Sequence, residues 1–230
     1  MEETFVHIQE NVARLRHEMS NYPDARLMAV VKTRQAEEIN FAVRECGVTL
    51  LGENRVQELL SHYDALDRGA SVHFIGTLQK NKVKYIIDKV DMIESLDSLP
   101  LAAEIDKRAA GIGRKMPVLI EVNIGREPAK GGILPEELPT FCEALHDFEN
   151  LLPGGLMTIA PNCGDDAAYE GYFSELARLG KEIFTKSFPS AGLILSMGMS
   201  GSYPAALRCG SNIIRVGEGI FGKRRIFPKS

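Results

Sequence analysis

A short apolar, β-branched run followed by an amphipathic stretch recurs eight times along these 230 residues, and that recurrence limits the fold more than any other feature. The apolar runs fall at 27–33, 48–51, 72–75, 90–93, 117–123, 155–159, 193–196 and 212–216. Between them, helical spacing predicts helices over 35–46, 53–67, 79–88, 98–110, 135–147 and 166–186, with a short one near 203–209. Strands that alternate with helices build parallel βαβ units, and eight of them predict a closed (β/α)8 barrel. A doubly wound open sheet is the competing fold. It carries fewer strands and a glycine-rich first turn, whereas the first turn here is Lys32-Thr33-Arg34-Gln35 and the glycines fall after strands seven and eight. Phe5, Ile8, Val12, Leu15 and Met19 recur at three- and four-residue steps and predict an extra N-terminal helix over 2–20.

Composition narrows the function classes. An apolar share of 44% and a charged share of 25% are those of an ordinary globular chain. With no linker or composition shift, one domain over 1–230 is expected. A net charge of −4 gives no field to recruit nucleic acid or an anionic membrane. The charged start Met1-Glu2-Glu3 lacks a signal peptide's apolar core, and no apolar run approaches the roughly 20 residues of a membrane span. Cys46, Cys142, Cys163 and Cys209 are widely spaced with no Cys-x-x-Cys pair, so no metal site is expected. They read as reduced thiols of a cytoplasmic protein.

Lys32 ends the first apolar run. A lysine at the mouth of an apolar site loses hydration, its pKa falls, and the free amine can condense with an aldehyde. The alternative is a lysine that snorkels to solvent. Barrels of this kind often hold phosphate in the loops after strands seven and eight, where this chain has Ser196-Met197-Gly198-Met199-Ser200-Gly201 and Arg215-Val216-Gly217-Glu218-Gly219. Glycines there let backbone N–H groups approach an anion, Ser200 adds a hydroxyl, and a helix starting near Ser202 would point its positive end inward. Arg215 either pairs with a carboxylate in the barrel mouth or faces a ligand. Strand one adjoins strand eight in a closed barrel, which joins Lys32 to Arg215 and both loops. An aldehyde-trapping lysine beside a phosphate cup describes pyridoxal 5′-phosphate (PLP). An arginine at the pyridine nitrogen keeps that nitrogen unprotonated and weakens the ring as an electron sink.

Ala29-Val30-Val31-Lys32-Thr33, Gly52-Glu53-Asn54-Arg55-Val56-Gln57-Glu58, His73-Phe74-Ile75-Gly76-Thr77-Leu78-Gln79-Lys80-Asn81-Lys82, Gly155-Leu156-Met157, Ser196-Met197-Gly198-Met199-Ser200 and Arg215-Val216-Gly217 through Gly222 carry a resemblance. They resemble the YggS/PROSC family of PLP homeostasis proteins, from about Leu27 to about Arg224 in matching order. The resemblance implies a single barrel of the alanine racemase N-terminal type (PLP fold type III), without the second, β-rich domain of true racemases. It implies a Schiff base on Lys32, a role in holding and delivering PLP and in amino-acid and keto-acid balance, and no established turnover. Carried over by position, Lys32 matches the Schiff-base lysine, Ser200 and the amides near Gly217 the phosphate cup, and Arg215 the arginine beside the ring. Asn54 lies in the pocket loop after strand two, and Ser196, Met199 and Glu218 belong to the two cofactor-binding loops. PLP-dependent apo-enzymes are the implied partners, and a monomer or weak homodimer the implied assembly.

Departures accompany these matches. Val72 stands where the family often has tryptophan, Gly201 and Ser202 where an acidic residue is usual, and Glu218 where serine or threonine is common. A carboxylate repels phosphate, so the Glu218 backbone N–H is expected to bind while its side chain points away. His73 is either a buried, satisfied histidine or a functional one. Lys80, Lys82, Lys84 and Lys89 form a solvated face or a partner surface. Asn123, Glu127 and Lys130 either structure the Gly131-Gly132 loop or border the cofactor. The enzymatic alternative is a PLP-dependent amino-acid racemase, which needs an acid/base group on each face of its intermediate; Lys32 serves one. Tyr172 falls in a helix and reads as packing, which leaves Tyr203 as the candidate phenol.

Overall fold

The computed structural model describes residues 2–223; Met1 and Arg224, where the resemblance ends, lie outside them. Eight parallel strands close into a barrel in sequence order. They are β1 (Arg26–Val30), β2 (Leu50–Glu53), β3 (Ser71–Phe74), β4 (Met92–Leu96), β5 (Met116–Glu121), β6 (Leu151–Met157), β7 (Ile194–Ser196) and β8 (Ile213–Val216). The helices are α1 (Glu2–Glu18), α2 (Ala36–Arg44), α3 (Val56–His62), α4 (Leu99–Gly111), α5 (Leu138–Leu145), α6 (Asp166–Leu179), α7 (Thr185–Ser187), α8 (Tyr203–Arg208) and α9 (Glu218–Phe221). Closure comes from β1 against β8, with Met28 opposite Arg215 and Ala29 opposite Val216.

The strands are apolar on both faces because each face is covered. One parity, with Ala29, Leu51, Phe74, Ile120, Leu156 and Ile214, packs outward under the helices. The other, with Met28, Leu50, Ile75 and Ile213, fills the barrel interior together with Val30 and Ile194. Residues two steps beyond an interior residue share its side. Lys32 follows Val30 and Arg215 follows Ile213 in this way, so the parity that builds the interior also delivers the site. The expected N-terminal helix is α1, which buries Ile8, Val12 and Leu15.

Several boundaries differ from the sequence expectation. β2 and β4 begin later than 48–51 and 90–93, because Val48 and Val90 are buried in the connections that precede their strands, and β6 begins earlier than 155–159, at Leu151. β1 ends at Val30, two residues before Lys32. The helix expected over 79–88 is a 3-10 segment, Lys80–Tyr85, closed by Lys82 N–H donating to the Gln79 carbonyl at 2.9 Å. Lys80 and Lys84 are like charges four residues apart, which disfavours an α-helix there. The helix expected over 166–186 breaks after α6 into a π-turn, Gly180–Phe184, before α7. Gly180 packs on the β7 side, where an added Cβ would lie 3.0 Å from Leu193.

Candidate functional site

At the C-terminal end of the barrel a cavity of about 380 Å³ is lined by seven of the eight residues expected there. Lys32, Asn54, Met199, Ser200, Arg215, Gly217 and Glu218 form its wall. The remaining expected residue, Ser196, is fully buried and is not part of this wall. Its place on the interior side of β7 turns its hydroxyl into the barrel, where it donates to Glu94 Oε2 at 2.6 Å. Gly201 also lines it, and the apolar Val30, Ile75 and Ile159 complete the wall. Sequence reasoning missed these three apolar residues as site residues, although Val30 stands two positions before Lys32.

Each polar member is fixed by its surroundings. Lys32 is half-buried just past β1. Asn54 Oδ1 is buried with no hydrogen-bond partner. The loop carrying it is pressed against Gly76, where a Cβ would meet the Asn54 carbonyl oxygen at 2.1 Å, so only glycine fits. The loops after β7 and β8 are joined by Gly219 N–H donating to Ser200 Oγ at 3.3 Å. Ser202, at one of the departures from the family pattern, closes the first loop: its Oγ accepts from Met199 N–H at 3.1 Å. Glu218 is exposed at the rim.

Arg215 lines the cavity and, in place of the direct carboxylate pairing that was one expectation, reaches Glu94 through Ser196 in a buried polar chain. Its Nη1 donates to Ser196 Oγ at 2.8 Å and its Nη2 to the Thr158 carbonyl at 2.6 Å. Burial pulls the guanidinium below its ordinary value, while Glu94 and Glu121 oppose that shift. Glu121, at the end of β5, is pushed up to about 7 by burial and then by Asp97, with Arg215 pulling the other way.

The weaker candidates resolve by geometry. His73 is buried, with Nδ1 2.6 Å from Glu94 Oε1. Tyr203 turns away to α1, its hydroxyl donating to Glu18, and Tyr172 packs against the outer core. Asn123 structures the loop after β5: its Nδ2 donates to the Glu127 carbonyl at 2.9 Å and its Oδ1 accepts from Glu127 N–H at 3.1 Å. Lys130 pairs with Glu127 and donates to the Ala160 carbonyl. Lys82 and Lys84 lie 5.8 and 4.9 Å from the Tyr85 ring.

The barrel is that of the alanine racemase N-terminal domain, whose family model matches residues 6–225. The pyridoxal phosphate homeostasis protein of Aquifex aeolicus (strain VF5) is 43% identical over 202 residues, covering 87% of this chain and 88% of its own. Its counterpart in Pasteurella multocida (strain Pm70) is 31% identical and covers 97% of both chains. PipY of Synechococcus elongatus PCC7942, whose structure has been solved with PLP bound, superposes with a TM-score of 0.85 at 32% identity. That match covers 94% of this chain and all of PipY, 100%. The alanine racemase of Clostridium difficile 630, at 18% identity and a TM-score of 0.71, shares the fold. The chain belongs to the YggS/PROSC family of pyridoxal phosphate homeostasis proteins.

Proposed function

We propose that this chain, folded as one barrel domain, binds PLP as a Schiff base on Lys32 and holds it for delivery to PLP-dependent apo-enzymes, thereby influencing amino-acid and keto-acid balance. The observation that carries this reading is the convergence of Lys32, Asn54, Arg215 and the two glycine-containing loops on one cavity. The unpartnered Asn54 Oδ1 fits a polar ligand group, because a buried acceptor left unmade costs free energy. The PLP-bound form of PipY supports the same ligand.

When bound, the cofactor supplies an aldehyde that amines can take and an electron-withdrawing ring. Lys32 provides the amine. Ser200 and the backbone around Gly217 would hold the phosphate, and Gly201 adds no side chain to that part of the wall. Val30, Ile75 and Ile159 would offer apolar surface to the faces of the ring. Arg215 presents a cation to the cavity and thereby opposes protonation of a nearby ligand atom. Holding rather than turnover is supported by Tyr203, whose hydroxyl is engaged by Glu18 on α1 and does not provide a second acid/base group. The four cysteines are free, which favours a reducing cytoplasm.

Titrating PLP into the purified protein and into Lys32→Ala tests the reading. The wild type is expected to gain a near-visible absorbance band at stoichiometric PLP, and Lys32→Ala to lack it. A wild type that gains no band, or an equal band in Lys32→Ala, would overturn the assignment.

A further inference from the structure

Four consecutive hydrogen-bonding groups cross the barrel interior below the cavity, each from a different strand. His73 on β3 and Ser196 on β7 both bond to the Glu94 carboxylate on β4, at 2.6 Å each. Ser196 Oγ in turn accepts from Arg215 Nη1 on β8 at 2.8 Å. Glu94 and Ser196 are fully buried, and His73 and Arg215 are 4% and 3% exposed. Of the four, only Arg215 lines the cavity.

The donors run in one direction. Arg215 donates to Ser196, and Ser196 donates to Glu94. The carboxylate accepts again from His73, whose shared proton therefore sits on Nδ1 when Glu94 is ionised. A guanidinium held at Nη1 by Ser196 and at Nη2 by the Thr158 carbonyl cannot turn about its own plane. Buried ionic groups are costly, and well-packed apolar residues of the same volume would serve stability as well or better. The chain is therefore better explained by what it fixes than by what it stabilises.

We infer that Glu94 is a positioning residue for the site: acting through Ser196 and clamped by His73, it sets the orientation of the Arg215 guanidinium in the cavity wall. This rests on the reading of the cavity as a PLP site and adds to it the residues that aim its cation. Lys32 and Glu218 in the cavity wall, Glu121 and Asp97 beside it and the buried Glu53 at the end of β2 are further charged or titratable groups at this end of the barrel, and they are left intact by the variants below.

The test compares wild type, Ser196→Ala, Glu94→Gln and Ser196→Thr, each loaded with PLP. Borohydride fixation at Lys32 reports binding itself, and the pH profile of the bound absorbance reports the cation's field. Ser196→Ala and Glu94→Gln are expected to keep the Lys32 adduct. Their PLP affinity should fall roughly ten-fold, the scale of one lost hydrogen bond to a charged group. The pH midpoint of the absorbance change should rise by about one unit, because a displaced cation no longer opposes ligand protonation. Ser196→Thr keeps the hydroxyl and should restore both. A purely structural role would lower thermal stability without moving the midpoint. Adduct formation in Ser196→Ala with wild-type affinity and midpoint would overturn the positioning role. A wild type that forms no adduct overturns the cofactor reading and the positioning role with it.

Discussion

Glu121 is a buried carboxyl placed beside a second acid. Only 7% exposed, it shares its surroundings with Asp97: a Cβ on Gly131 would lie 3.7 Å from Asp97 Oδ2 and 3.8 Å from either Glu121 oxygen. Its carboxyl is raised from 4.5 to about 7. A raised carboxyl stabilises the fold fully below pH 4.5, and that stability is lost as pH rises to about 7, a difference of about 3 kcal/mol. Glu121→Gln, which cannot ionise, is expected to gain up to about that much stability at pH 8 and little at pH 4. Urea denaturation at the two pH values measures it; an equal effect at both would contradict the assignment. At this scale the sequence was legible where a residue's chemistry is unusual for its position. Lys32 at a strand end and Arg215 before a glycine loop stood out. Ser196 was chosen with its loop, and the side it faces follows from strand parity alone. Glu94, Glu121 and Thr158 stayed hidden because an acid or hydroxyl on a strand looks the same whether it faces solvent or a barrel interior.

Between elements, close backbone approach decides more than side-chain preference. Gly155 on β6 pairs with Ile194 on β7 at a φ of 149°, and an added Cβ would sit 2.0 Å from the Ile194 carbonyl oxygen. Gly155→Ala is expected to cost about 3 kcal/mol or more, read as a lower urea midpoint; a loss below about 0.5 kcal/mol would contradict this packing. The contact between α1 and α8 predicts the opposite balance of stability and binding. Tyr203→Phe removes the hydroxyl that bonds Glu18. It should lower stability by about 1 kcal/mol, or a few degrees in Tm, while PLP affinity stays unchanged. A calorimetric scan and a PLP titration together check it, and lost affinity would return Tyr203 to the cavity. Elements were readable where apolar periodicity was long, as in α1, α4 and β5. The segment from Lys80 to Tyr85 was not, because Val83 is its one buried residue and its lysine spacing opposes the α-helix.

For the whole molecule, closure is the event that creates a site. Lys32 and Arg215 are far apart in the chain and become neighbours because β1 pairs with β8. That adjacency follows once eight units are counted, which explains why much of the cavity wall was legible in the sequence. The buried chain from His73 to Arg215 was not, since it depends on four interior positions that no local pattern links. The central claim is that Lys32 carries the cofactor. The most direct measurement is peptide mass spectrometry of the PLP-loaded, borohydride-reduced protein. A single phosphopyridoxyl group on the peptide containing Lys32 is the expected result. A label on another lysine, or none at all, would contradict the account.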